Sequence, residues 1–173
     1  MSEAAGHPHP TVKQLAQRLD AALTAPAEEF AARMNDALRL SVANPDWLPP
    51  EKLMPDGSHY ARHVVYADPD GRYTVVAIVW ANGQCSPVHS HHTWCGVAVY
   101  RGDIQETFFR GPDSGKSPEP VNTITRNVGS LSLDLQGNGI HQIANRSQDV
   151  AVSIHIYGIA EGGISTRVNR VYA

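Results

Sequence analysis

The sequence predicts a mainly β chain: one sandwich or barrel of short strands, preceded by two N-terminal α-helices. Three observations predict it. Apolar residues recur at helical spacing through the first fifty positions. Beyond about residue 60, short β-branched segments alternate with Gly, Asn and Asp punctuation, as in sandwiches and barrels. The length, 173 residues, with 42% hydrophobic and 18% charged residues, suits one globular domain with a real core.

Taken in order, "MSEAAGHPHP" reads as a disordered terminus over residues 1–10, and His7 and His9 fall in it. "TVKQLAQRLDAAL" sets Val12, Leu15, Leu19 and Leu23 near one helix face, with Thr11 as the expected N-cap. "PAEEFAARMNDALRL" opens with Pro26 and two acids, a common helix start, and Phe30, Met34, Ala37 and Leu38 form its apolar side. "NPDWLPPE", Asn44 to Glu51, reads as a linker. Strands are expected in "RHVVYAD", "RYTVVAIVWA", "VNTITRN", "GSLSLDL", "GIHQIAN" and "VAVSIHIYG". "DPDG" is a turn between the first two. "GVAVYRGDIQETFFR" reads as two strands around Arg101–Gly102–Asp103, and Gly111 to Pro120 as a polar loop. The single domain then spans residues 11–173, with 11–50 its helical part and 60–173 its barrel.

Composition excludes several roles. The net charge is a mild -3, and no basic stripe points to nucleic acid. The longest apolar run, Val75 to Ala81, is far too short to span a bilayer. The N-terminus lacks the n- and h-regions of a signal peptide, so a cytoplasmic protein is expected, as a monomer or small homo-oligomer. Two cysteines make no disulfide framework, and a Cys85–Cys95 bridge is not expected in a reducing compartment.

Nine histidines are many for this length. A strand alternates faces, so His89 and His91 in "HSHH" point one way and His92 the other. A metal needs converging imidazoles, which favours His89 and His91. The third ligand should come from a neighbouring strand, and His141 and His155 are both candidates. His59 and His63 read as ordinary surface or strand residues.

The spacing resembles the cupin superfamily. Gly83, five residues, His89-x-His91 and a later Gly102 match its first motif, with Cys95 in the slot of the usual glutamate. Gly129, His141 and Asn145 match its second motif, although "LQGNG" blurs the expected Pro-x-Gly. The resemblance implies a single cupin, a double-stranded β-helix or jelly-roll barrel. Three histidines without a carboxylate leave a divalent ion's charge uncompensated, which favours an anionic ligand such as a thiolate. A facial set of this kind also leaves positions open, as non-heme iron(II) oxygenases need.

A narrower resemblance runs from about Tyr60 to the C-terminus, through "YARHVVYADPDGRYTVVAIVW", "SPVHSHHTWCGVAVYRG", "GIHQIAN" and "AVSIHIYG". The chain is similar to the thiol dioxygenases: cysteine dioxygenase and its relatives acting on 3-mercaptopropionate. The resemblance implies an Fe(2+) enzyme that adds both atoms of O2 to the sulfur of a small thiol carboxylic acid, giving the sulfinic acid. It implies His89, His91 and His141 as metal ligands. It implies Ser153, His155 and Tyr157 as a hydrogen-bonded relay beside the metal. His155 thereby leaves the ligand set. Arg62 sits where the cysteine-type enzymes carry their carboxylate-binding arginine, and Arg167 is similar in placement to the C-terminal arginine of the mercaptopropionate type. One arginine suits a monocarboxylic thiol and two a dicarboxylic one such as mercaptosuccinate.

In the animal-type enzymes a cysteine at the glutamate slot forms a thioether with the active-site tyrosine, whereas most bacterial relatives have glycine there. Counted back from Gly102, Cys95 falls on that slot, so a Cys95–Tyr157 crosslink is implied. Counted forward from His91, it falls one residue short. Cys85 has no family role and is expected near the pocket rim. The alternatives to a thiol dioxygenase are another metal-dependent cupin enzyme and a non-catalytic cupin that binds a small ligand.

Overall fold

Helix α1 (Pro10–Leu23) begins two residues earlier than an N-cap at Thr11 implies. Pro10 at the first helical position sets φ, and His9 is the cap, its Nδ1 accepting from the Thr11 N–H at 3.2 Å. Thr11, the expected N-cap, lies instead buried in the first turn. The structure, a computed structural model, describes residues 9–111 and 117–172. The disordered terminus expected over 1–10 otherwise falls on residues 1–8, outside the described ones, as does most of the loop expected after Gly111. Helix α2 (Ala27–Ala43) starts after Pro26 with Glu28 and Glu29 in its first turn, where the dipole favours acids. Leu15, Leu19 and Ala22 of α1 and Met34, Ala37 and Leu38 of α2 are buried.

The expected linker is part of the core. Trp47 and Leu48 are buried, and the Trp47 indole N–H donates to the Ser41 carbonyl at 2.8 Å. A 3-10 turn follows at Pro50–Leu53.

Among the described residues, ten strands then form two five-stranded antiparallel sheets. They are β1 (Ala61–Ala67), β2 (Thr74–Trp80), β3 (His89–His91), β4 (Cys95–Arg101), β5 (Ile104–Arg110), β6 (Glu119–Arg126), β7 (Leu131–Asp134), β8 (His141–Ala144), β9 (Ala151–Tyr157) and β10 (Asn169–Val171). One sheet runs β1-β2-β9-β4-β7 and the other β10-β3-β8-β5-β6.

Period-two alternation divides the first sheet between two cores. Val75, Ala77 and Val79 of β2 and Val152, Ile154 and Ile156 of β9 face the helices. Val76, Ile78 and Trp80, with Cys95, Val97 and Tyr157, face the barrel interior. Both faces of β2 and β9 are therefore buried throughout. Helix α2 approaches β4 closely at Gly96, where an added Cβ would lie 3.1 Å from Leu38 Cδ1. No described helix is long and apolar enough to cross a membrane.

Candidate metal centre

His89 and His91 share the inward face of β3, and His141 opens β8 directly opposite His89. All three are buried, and one ring nitrogen from each lies within 4.8 Å of the others. The ring centroids are 4.6 to 5.3 Å apart. His92 is exposed, as the alternation requires. Gly137 pins the strand from outside: its carbonyl accepts from the His91 N–H at 2.8 Å. With φ at +68° and a would-be Cβ 2.3 Å from the Thr93 carbonyl oxygen, no other residue fits there. The two sequence motifs are also stitched together, because the Gly83 N–H donates to the Asn145 carbonyl at 3.0 Å and the Asn145 N–H to the Gln84 carbonyl at 2.9 Å.

The donor set fits a metal ion. Each Nδ1 faces an acceptor: the Pro87 carbonyl for His89 at 2.9 Å, Asn169 Oδ1 for His91 at 3.0 Å and Glu106 Oε1 for His141 at 2.7 Å. Acceptors of that kind require the proton on Nδ1, which leaves a lone pair on each Nε2. Two of these, on His91 and His141, approach to 3.2 Å. Facing lone pairs at that distance call for a cation between them. Burial, then the neighbouring His141, pushes His89 down to about 3 and His91 down to about 4, so both are neutral at pH 7.

Glu106 is a feature that sequence reasoning missed. It is buried on β5 and takes a hydrogen bond from Arg126 as well as from His141. Burial alone would raise its carboxyl, but the His141 hydrogen bond and the Arg126 charge outweigh it and hold the group ionised. The signal available was a charged residue at an inward position between Ile104 and Phe108. Asn169 was missed too, because β10 is only three residues long and was not expected.

Beside the histidines runs a hydrogen-bonded chain. Trp80 Nε1 donates to Ser153 Oγ at 2.9 Å, Ser153 Oγ lies 2.8 Å from His155 Nε2, and His155 Nδ1 lies 3.0 Å from the Tyr157 hydroxyl. The indole can only donate, which orders the rest. Ser153 donates to Nε2, the neutral imidazole donates from Nδ1, and the Tyr157 proton is left to point elsewhere. Burial, first of all, keeps His155 neutral and holds the Tyr157 phenol protonated. Both His155 nitrogens are engaged, so this residue stands apart from the three-histidine cluster. In the sequence Trp80 reads only as part of a strand.

Cys95 lies directly across from Tyr157 in the β4–β9 pairing. Its thiol donates to the Gly96 carbonyl at 3.8 Å, and burial pushes the thiol well above its usual range. Cys85 is exposed, on the wall of a broad surface cleft.

The two arginines part company. Arg62 and Tyr60 line a small cavity with His89, His155 and Tyr157, and both also line the broad cleft, so they stand at its doorway. The Arg62 guanidinium donates to the Tyr60 hydroxyl at 2.7 Å and to the Ile164 carbonyl at 3.3 Å. Arg167 is exposed and lines a separate depression with His92, Ile159 and Thr166. The structure does not bring it to the histidines. His59 is exposed, and His63 lies on β1 with its Nε2 3.2 Å from the Met54 carbonyl.

Comparison with known proteins follows the same lines. The family model described as cysteine dioxygenase type I matches residues 4–160. The fold is similar to that of an uncharacterized conserved protein with a double-stranded β-helix domain from Klebsiella pneumoniae. The two share 14% identity, 72% of this chain and 93% of that one are covered, and the TM-score is 0.54. A cupin 2 conserved barrel domain protein from Salinispora arenicola is similar at 16% identity, over 64% of this chain and 83% of that one, with a TM-score of 0.46. The architecture is a double-stranded β-helix, preceded here by two helices.

Proposed function

The chain belongs to the cysteine dioxygenase type I family, and on that premise we propose that it is an iron(II) thiol dioxygenase. It would add both atoms of O2 to the sulfur of a small thiol carboxylate, giving the sulfinate, within one domain spanning residues 11–173. The observation that carries the reading is the three-histidine cluster itself. The imidazoles of His89 and His91 are neutral, the three Nδ1 atoms are committed to Pro87, Asn169 and Glu106, and the relay from Trp80 to Tyr157 stands beside them.

His89, His91 and His141 would hold the metal. Iron(II) bound there supplies the chemistry that activates dioxygen and the positive charge that favours a thiolate. The chain supplies the rest. No carboxylate belongs to the ligand set, and the Glu106 charge is offset by Arg126, so the anionic partner falls to the substrate. Arg62 would take the substrate carboxylate, exchanging its present bonds to Tyr60 and Ile164 for a bidentate pair. Tyr157, held by His155 and Ser153, would direct its hydroxyl proton at the developing charge of the reacting group.

Only one arginine lines the doorway, which favours a monocarboxylic thiol of the cysteine or 3-mercaptopropionate kind over mercaptosuccinate. Free thiols and a thiol substrate suit the reducing cytoplasm, where we place the protein.

The experiment is oxygen uptake by iron-loaded protein against a panel of thiol acids, repeated with Arg62→Ala and Arg167→Ala. The expected result is sulfinate formation, with kcat/KM lowered roughly 10- to 100-fold by Arg62→Ala, the worth of a charge-assisted hydrogen bond. Arg167→Ala should change little. Uptake with none of the thiols would remove the dioxygenase reading. Equal losses in both variants would restore the dicarboxylate.

A further inference from the structure

We propose that dioxygen reaches the centre through a second cavity, on the Cys95 side of the histidines, apart from the thiol route past Arg62. The proposal rests on the thiol dioxygenase reading. The cavity is about 150 Å³, and His91 and His141 form its inner wall. The Arg62 cavity, about 10 Å³, touches the cluster at His89 instead. The two share no lining residue, so the histidines, Cys95 and Tyr157 stand between them.

Chemistry sorts the two routes. No Lys or Arg lines the larger cavity among the described residues, while Glu106 and Asp134 do. Neither acid is free to receive a ligand. Glu106 is bound by His141 and Arg126, and Asp134 accepts the N–H groups of Gln136, Gly137 and Gly139. A thiol carboxylate entering here meets two carboxylates and no partner for its charge, a costly burial. An uncharged diatomic gas carries no such cost. Val97, Phe108 and Cys95 offer it apolar surface, and a space of about 150 Å³ is large enough for xenon. The rim at Gly139 is exposed, which gives an entrance. A substrate bound at Arg62 would therefore leave this path to the histidines clear.

Val97 and Ser132 face each other across β4 and β7 and both line the cavity, so either can be enlarged to fill it. The test is xenon-pressurised crystallography of the metal-loaded protein and of Ser132→Leu and Val97→Leu, with steady-state kinetics at varied dioxygen. Xenon is expected in the cavity of the unaltered protein and absent from the variants. The variants' KM for dioxygen should rise severalfold, with the thiol KM unchanged. A cavity without xenon would overturn the proposal, and so would variants that exclude xenon yet keep the dioxygen KM. Should neither variant fold, xenon in the unaltered protein decides. If the unaltered enzyme consumes no dioxygen with any thiol, it is the dioxygenase reading that falls, and the xenon experiment still decides whether the gas site exists.

Discussion

Glu106 Oε1 accepts from His141 Nδ1 at 2.7 Å, and this contact joins two strands whose residues are 35 positions apart in sequence. It fixes the imidazole's tautomer and turns Nε2 toward His91. Outer-shell carboxylates of this kind are worth about 10- to 100-fold in metal affinity. Glu106→Gln is accordingly expected to weaken iron or cobalt binding by that order, measured by competition against a chelator. An unchanged affinity would show that the carboxylate does not hold the ligand.

The Trp80–Ser153–His155–Tyr157 chain predicts coupling. Trp80→Phe removes the donor that orders the chain, and Ser153→Ala removes its acceptor. Each is expected to lower kcat about tenfold with little effect on metal affinity, and the double variant to lose little more than either alone. Strictly additive losses in the double-mutant cycle would break the link.

The opposed placement of Cys95 and Tyr157 predicts a thioether after turnover. Two hydrogens leave, one from the thiol and one from the phenol ring, with dioxygen as oxidant and Cys95 Sγ bonded to the ring carbon beside the hydroxyl. Peptide mapping should find the two peptides joined and lighter by two hydrogens, and Cys95→Ala should abolish the product. Separate, unmodified peptides after many turnovers would speak against it.

Burial of His89 and His91 makes the metal-free protein acid-sensitive in a defined window. Their folded-state values, about 3 and about 4, lie below the ordinary 6.5. Between these values the unfolded chain binds more protons than the native one, so stability rises with pH there. It should be level above about pH 7 and fall on the order of a few kcal/mol as the pH drops from 6.5 toward 4. Thermal melts of the metal-free protein across that range measure it, and His89→Gln should flatten the slope. A melting temperature constant over the window would contradict the neutral, buried pair.

The strand-rich architecture and its two leading helices were legible because helical and strand periodicities are local signals. Val12, Leu15 and Leu19 declare a face without help from the barrel. The segment around Trp47 was not legible, because its prolines break the pattern while its indole fills a gap that only the packed sheet creates.

The same division runs through the site. By itself the sequence determined that His89 and His91 share a face, and that Ser153, His155 and Tyr157 share another, since alternation within one strand needs no partner. Resemblance to a family then singled out His141, Arg62 and Cys95. Only the tertiary structure decided that Glu106, Asn169 and Trp80 complete the site, that Cys95 opposes Tyr157, and that Arg62 stands at the doorway while Arg167 does not. Those are relations between strands. They depend on register and on sheet order, which the packing of two whole sheets sets and which no short stretch of sequence contains.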